Sequence, residues 1–233
     1  MKQYTFTIIV ALVVLMVLGL AGRYGFTVVK IEDVEKTTQS EAFDPVAYVD
    51  GIWDARIMPA FNENAVELST ILSEIEVDAD GMVSKDDLIP VTEKHGLITV
   101  GEAHMYMLKG SGKITSVNTE TSLGTIEVAL DGYSGPIKVI IYLGTRIPND
   151  DTSIRDAVGF ITINDFTDQM QYGKVGQEIN NRVLSQVLGS LDKSSLIGKT
   201  ITFKGAFNIR TFNLIQIQVQ EIRIVPVEIT LEG

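Results

Sequence analysis

The chain has 233 residues, no cysteine, and 19 basic against 30 acidic side chains, a formal net charge of −11. That length allows one or two domains with a sizeable core, and the missing cysteine excludes disulfides, thiolate metal sites and a cysteine nucleophile. The acidic balance argues against nucleic acid and against adhesion to anionic lipid, because both need a basic surface.

Residues 1–22 carry a single charge, Lys2, and everything downstream sums to −12. The apolar run Phe6–Gly22 is 17 residues long, close to the minimum for a helix crossing a hydrocarbon layer of roughly 30 Å. A secretory signal has a shorter apolar core, about 7–15 residues, ahead of small residues at the cleavage site. Gly19 and Ala21 would suit such a site, so cleavage stays open beside retention. We expect residues 6–22 to be kept as a single-pass anchor in the cell membrane. A stalk over residues 23–42 would then lead to one extracytoplasmic α+β domain over residues 43–233. Basic residues are too sparse on either side of the run to orient it, and the side assigned to the large C-terminal part rests on the ease with which long domains translocate.

Asp44 and Pro45 read as the cap and first position of a helix. Its apolar face is Val46, Val49, Trp53, Ile57 and Ala60, and Pro59 should end or kink it. A second amphipathic helix is expected from a capping Asn64, with Leu68, Ile71, Leu72 and Ile75 on one face. The two would form a hairpin across Asn62–Asn64 within a helical part spanning residues 43–80. Residues 78–102 show no clear period and read as a long connection. Beyond residue 103 the period changes to two. Strands are expected at "KITSV", "GTIEVALDG", "IKVIIYLG" and "KTITFKGAFNI", with Gly205 a bend. In "NLIQIQVQEIRIVPVEITL" the apolar residues sit at odd positions through Val219, at even ones at Ile222 and Ile224, and at odd ones again from Val227. Each change of parity in a strand demands a bulge or a break. Between the third and fourth strands Val175, Ile179, Val183, Leu184, Val187, Leu188 and Leu191 form a wide stripe, predicting a helix from Tyr172 to Gly189. Three strands, a helix and two strands is the element order of an OB-like five-stranded barrel over residues 103–233.

No catalytic or cofactor motif emerges. "DADGMVSKDDL" fails the calcium-loop spacing, with Gly81 at position 4 and Ile89 at 12 counted from Asp78. His95, Glu102 and His104 lack a ligand-pair spacing. "KGSGK" (residues 109–113) is too short for a phosphate loop and reads as a turn between strand segments. There is no GxSxG elbow. Asp150 and Asp151, being adjacent, should point apart and make poor acid–base partners. "IRDAVGFITINDFTDQ" is the densest polar segment. Arg155, Asp156, Asn164, Asp165 and Gln169 could line a small ligand pocket, or could cap helix ends and close the barrel. Trp53 reads as a core anchor or a ligand contact.

Four stretches, "FDPVAYVDGIWDARIMPAF", "LKGSGKITSVNTETSLGTIEVALDG", "TSIRDAVGFITINDFTDQMQYGKVGQEIN" and "LIGKTITFKGAF", together resemble the DUF2291 family of bacterial predicted periplasmic lipoproteins. The resemblance runs from about Val29 to the C-terminus. It implies an exported, membrane-tethered protein, a companion of sugar ABC transport systems, with no established activity and no catalytic residues to carry over. The chain departs from the family at the lipid-bearing cysteine: Thr27 and Val28 precede Val29, which leaves the apolar helix as the tether. The expected role is therefore non-enzymatic, either binding a small neutral solute or docking to transporter components. The competing readings are a carbohydrate hydrolase using Asp156, Asp165 or Glu178, and a purely structural module exposing an apolar patch.

Overall fold

The carboxylate of Asp44 accepts hydrogen bonds from the N–H groups of Val46 and Ala47 at 2.9 and 3.1 Å, so helix α1 (Pro45–Ile52) starts where the sequence predicts. The structure is a computed structural model and describes residues 43–99 and 101–232. The expected anchor at residues 6–22 and the stalk at 23–42 lie outside the described residues. Among the described residues no helix is long and apolar enough to cross a membrane.

Pro59 does not end the helical run but follows a distortion in it. A π-turn over Trp53–Ile57 precedes α2 (Met58–Asn64), with the N–H of Met58 bonded to the carbonyl of Trp53, five residues back. The wider turn makes room for a proline ring that would clash in a regular helix and has no N–H to donate. The predicted hairpin is corrected here. Asn64 is the last residue of α2 and not a cap, and its side chain donates to the carbonyl of Ala60 at 3.0 Å. Val66–Glu67 form a short strand, β1, parallel to the first barrel strand, and only Leu68–Glu74 are helical (α3). Leu68, Ile71, Leu72 and Ile75 are buried as their spacing foretold, but in the barrel core instead of against the first helix.

Residues 78–102, expected to be irregular, hold β2 (Met82–Ser84), α4 (Lys85–His95) and β3 (Leu97–Ile98). Ser84 caps α4, accepting from the N–H of Asp87 at 3.1 Å. Asp86 and Asp87 stand in the first turn and Lys94 and His95 in the last, which suits the helix dipole. Pro90 inside the helix masks the pattern in the sequence. The acidic turn ahead of it is built by Asp78, whose carboxylate accepts from the N–H groups of Asp80 and Met82, both at 2.9 Å.

The barrel consists of β4 (Ala103–Asn118), β5 (Thr125–Leu130), β6 (Lys138–Tyr142), β7 (Thr200–Arg210) and β9 (Glu221–Glu232). They are joined in the order β4-β5-β6-β9-β7, and β7 closes back on β4. All pairs are antiparallel except β6 with β9. Five strands therefore close into a barrel as expected, but β1 and β3 also pair with β4, so the mixed sheet has seven strands. "KGSGK" is not a turn but the middle of β4. A Cβ on Gly112 would lie 2.4 Å from the carbonyl oxygen of Ala129, so its absence lets the long strand curl against β5.

Between β6 and β7 lie α5 (Ser153–Ala157) and α6 (Gln169–Arg182), the latter capped by Asp168 and extended by a π-turn over Val183–Val187. The helix starts three residues before the predicted Tyr172. Val175, Ile179 and Val183 are buried as expected, but the π-turn shifts the stripe so that Leu188, not Val187, is the next buried residue. Both parity changes in the last segment have a physical origin. The first separates β8 (Gln216–Gln218), which pairs with β2, from β9. The second is a bulge: Lys204 faces Glu228 and Gly205 faces Pro226, leaving Val227 over.

Gly205 takes the tightest approach in β7. A Cβ there would sit 2.5 Å from the backbone oxygen of Val225, which has no flexible end to yield. Gly205→Ala is expected to lower the urea midpoint, by the equivalent of about 1–3 kcal/mol. Gly51→Ala in α1, where nothing lies within 4 Å, should raise it by up to about 1 kcal/mol. An unchanged midpoint for Gly205→Ala would refute this account of the bend.

Candidate functional site

The residues singled out in the sequence do not converge. Arg155 and Asp156 turn inward and satisfy one another: Nε of Arg155 donates to Asp156 Oδ1 at 2.7 Å and a terminal nitrogen to Oδ2 at 3.1 Å. The other terminal nitrogen donates to the carbonyl of Tyr172 at 3.1 Å, and the guanidinium lies 3.6 Å from the centroid of the Tyr172 ring. Asp156 also accepts from Tyr172 Oη at 2.8 Å and Thr152 Oγ1 at 2.6 Å. This cluster ties α5 to α6.

Asn164, Asp165 and Gln169 are exposed. Asp165 accepts from the N–H and hydroxyl of Thr162 at 2.7 and 2.9 Å, closing the 3₁₀ turn Ile163–Asp165, and these bonds hold its carboxyl below the usual range. Trp53 is buried, with the Arg182 guanidinium 5.6 Å from its ring centroid and Arg182 paired to Asp50. Glu178 is half-buried and accepts from Asn181 at 3.1 Å. His95 lies 3.1 Å from Glu74, Glu102 pairs with Lys85 at 2.7 Å, and His104 contacts Thr92 at 2.6 Å, so each has a separate partner.

A different place has the features of a binding site. The ladder between β7 and β9 stops at Ala206 and Val225. Past that point β7 stays with β4 through Arg210, while β9 from Glu221 to Ile224 stays with β6. Where the two strands part, a cleft of about 400 Å³ opens, lined by Tyr142, Asp151, Asn208, Arg210 and Arg223 among others. Its buried wall is a polar network. Asp151 accepts from the N–H of Ser153 at 3.2 Å and from its hydroxyl at 2.5 Å, and Asn208 donates to that hydroxyl at 2.8 Å. Asn180, from α6, donates to the carbonyl of Asp151 at 2.8 Å and fixes the loop.

Burial pushes the Asp151 carboxyl up, against the pull of its Ser153 bonds. Burial, with Asp151 alongside, pushes the Tyr142 phenol up to about 12, so it stays protonated and able to donate. The two arginines stand at the mouth: Arg210 bonds to Asp150 at 3.2 Å, and Arg223 to Glu221 at 2.8 Å. Asp150 is exposed and Asp151 buried, and both line the cleft. No histidine lines the cleft. The Ser153 hydroxyl donates to Asp151 and accepts from Asn208, and the residue is fully buried behind the cleft. Sequence reading missed this site because its residues come from strand ends and a loop far apart in the chain. The sole local signal is "PNDDTS", a turn with two acids followed by two hydroxyls.

These observations define an OB-fold α+β protein with a polar cleft beside the barrel. A crystal structure of an OB-fold protein from Thermotoga maritima is similar, with a TM-score of 0.58 at 17% identity, covering 82% of this chain and 100% of that one. The chain belongs to the DUF2291 family, described as predicted periplasmic lipoproteins, whose profile matches residues 12–230. No curated protein matches it.

Proposed function

We propose that the protein is an extracytoplasmic accessory protein, held at a membrane by residues 6–22, that binds a small neutral solute rich in hydroxyl groups in the cleft between β7 and β9. The observation carrying this reading is a polar network at a cleft of about 400 Å³, in which buried Ser153, behind the wall, links the lining residues Asp151 and half-buried Asn208, with Tyr142 alongside. That volume is within the range of small-molecule sites. A network holding a carboxylate, an amide, a phenol and two guanidinium groups offers both donors and acceptors, as sugar hydroxyls require. Docking to components of a sugar transport system is the partner reading consistent with such a ligand. The hydrolase reading gains nothing from the placement of its residues: Asp156 is locked by Arg155, Asp165 closes a turn and Glu178 stands on α6.

A thermal-shift series of mono- and disaccharides and polyols on the full chain in mild detergent tests the reading. A ligand at 100 times its Kd should stabilise by about 2.7 kcal/mol, raising Tm by roughly 5–10 °C in a domain of this size. Asn208→Ala and Arg223→Ala should abolish that rise. If no sugar or polyol shifts Tm, or if the shift survives both substitutions, the cleft is not the site.

A further inference from the structure

The loop between β7 and β8 presents three large apolar side chains to solvent: Phe212, Leu214 and Ile215 are 63%, 48% and 81% exposed. It does so from a fixed base. Thr211 is fully buried, and its N–H and hydroxyl both donate to the carbonyl of Glu102, at 3.0 and 2.7 Å. The N–H of Leu214 closes the turn on the carbonyl of Thr211 at 3.0 Å, and Lys85 donates its N–H to the carbonyl of Ile215 at 2.9 Å. Asn213, at the tip, has a φ of 57°, the left-handed conformation that asparagine adopts more readily than most side chains and that suits a tight turn. The ten residues "TFNLIQIQVQ" (211–220) carry no charge, in a chain where 21% of residues are charged.

We propose that this loop is a membrane-contacting tip that inserts Phe212, Leu214 and Ile215 into the interface of a bilayer. The proposal rests on the tether reading given above. A stable protein partner buries about 20–30 residues a side, far more than three side chains on a projecting turn supply, whereas a bilayer accepts apolar side chains one by one. The net charge of −11 opposes anionic headgroups, so insertion here is apolar and insensitive to salt. The 17-residue apolar run and the 20-residue stretch that follows it hold the domain close to one membrane, where high effective concentration makes weak insertion sufficient.

The full chain, reconstituted in phosphatidylcholine vesicles, provides the test. Trp53 is the sole tryptophan and is buried, so wild type gives the baseline. Phe212→Trp should lose roughly half of its added fluorescence when the lipid is brominated near the headgroup. That loss should be unchanged by added salt and removed by Leu214→Asp with Ile215→Asp. If the variant stays with vesicles through a carbonate wash yet shows only the wild-type quenching, the tether stands and the tip is refuted. A chain that carbonate strips off overturns tether and tip together. Loop-dependent self-association without bromolipid quenching would assign the patch to a second copy and likewise overturn the proposal. The solute-induced thermal shift should persist in the Leu214→Asp, Ile215→Asp chain, which separates this result from the cleft reading.

Discussion

Arg155→Met should cost about 3–5 kcal/mol of folding stability, the usual consequence of removing one partner of a buried ion pair. Both side chains are about nine-tenths buried, at 9% and 11% exposure, and the substitution leaves the Asp156 carboxylate with only its Thr152 and Tyr172 hydroxyl partners. It also removes the bond to the Tyr172 carbonyl and the stacking on its ring. Tm should fall by roughly 10 °C or more. Arg155→Met combined with Asp156→Leu should recover much of the loss, because the stranded charge is gone. The experiment separates the two roles open to Arg155 from the sequence. A variant with unchanged Tm and lost solute binding would return it to the ligand site and refute the structural role argued above.

Thr92→Val is expected to be nearly as damaging, and its effect is linked to pH. The Thr92 hydroxyl lies 3.0 Å from the Leu88 carbonyl, 2.6 Å from His104 Nδ1 and 2.6 Å from Tyr106 Oη. The assignment that satisfies all three has Thr92 donating to Leu88 and accepting from both His104 and Tyr106. Valine fills the same space with no acceptor and strands two buried donors, at about 1–3 kcal/mol each. The same assignment leaves Nε2 of the fully buried His104 without a hydrogen-bond partner among the described residues, so protonating it would bury an unpaired charge. Burial, seconded by Lys85 and opposed by Glu102, lowers the His104 pKa in the fold. The unfolded chain takes up that proton near pH 6.5, the folded chain only further down. The contribution to stability is therefore complete above about pH 6.5 and declines as the pH falls towards the folded value, with a slope of up to about 1.4 kcal/mol per unit. Urea midpoints at pH 7.5 and 5.5 check this. His104→Leu should flatten the difference, and an equal decline in that variant would assign the acid sensitivity elsewhere.

The barrel was legible because it depends on period-two alternation and on parity breaks, which single residues such as Val219 and Val227 report directly. The first helix was legible through Asp44 and Pro45. The helix Lys85–His95 was hidden by Pro90 and by a buried stripe only Leu88, Val91 and Thr92 wide, although Ser84 and the order of its charges pointed to it. Asn64 has the chemistry of a cap, yet pairing of Val66 and Glu67 with β4 delays the next helix to Leu68, and a non-local ladder leaves no local trace. The cleft was illegible for the same reason. Asp151, Asn208 and Arg223 meet only because β7 and β9 part, a feature of three-dimensional pairing. In "IRDAVGFITINDFTDQ" the density of polar groups was real, but the sequence could not tell an arginine aimed at a ligand from one that clamps two helices.

The ladder between β4 and β7 joins partners 87 to 107 positions apart, Lys113 with Thr200 and Ala103 with Arg210. Such long loops must close before their contacts contribute, which makes topologies of this kind slow to fold. The β4–β5 hairpin can form as soon as Leu130 is available, but the barrel waits for the last third of the chain. The strand order itself thus makes closure of the barrel a late step of folding.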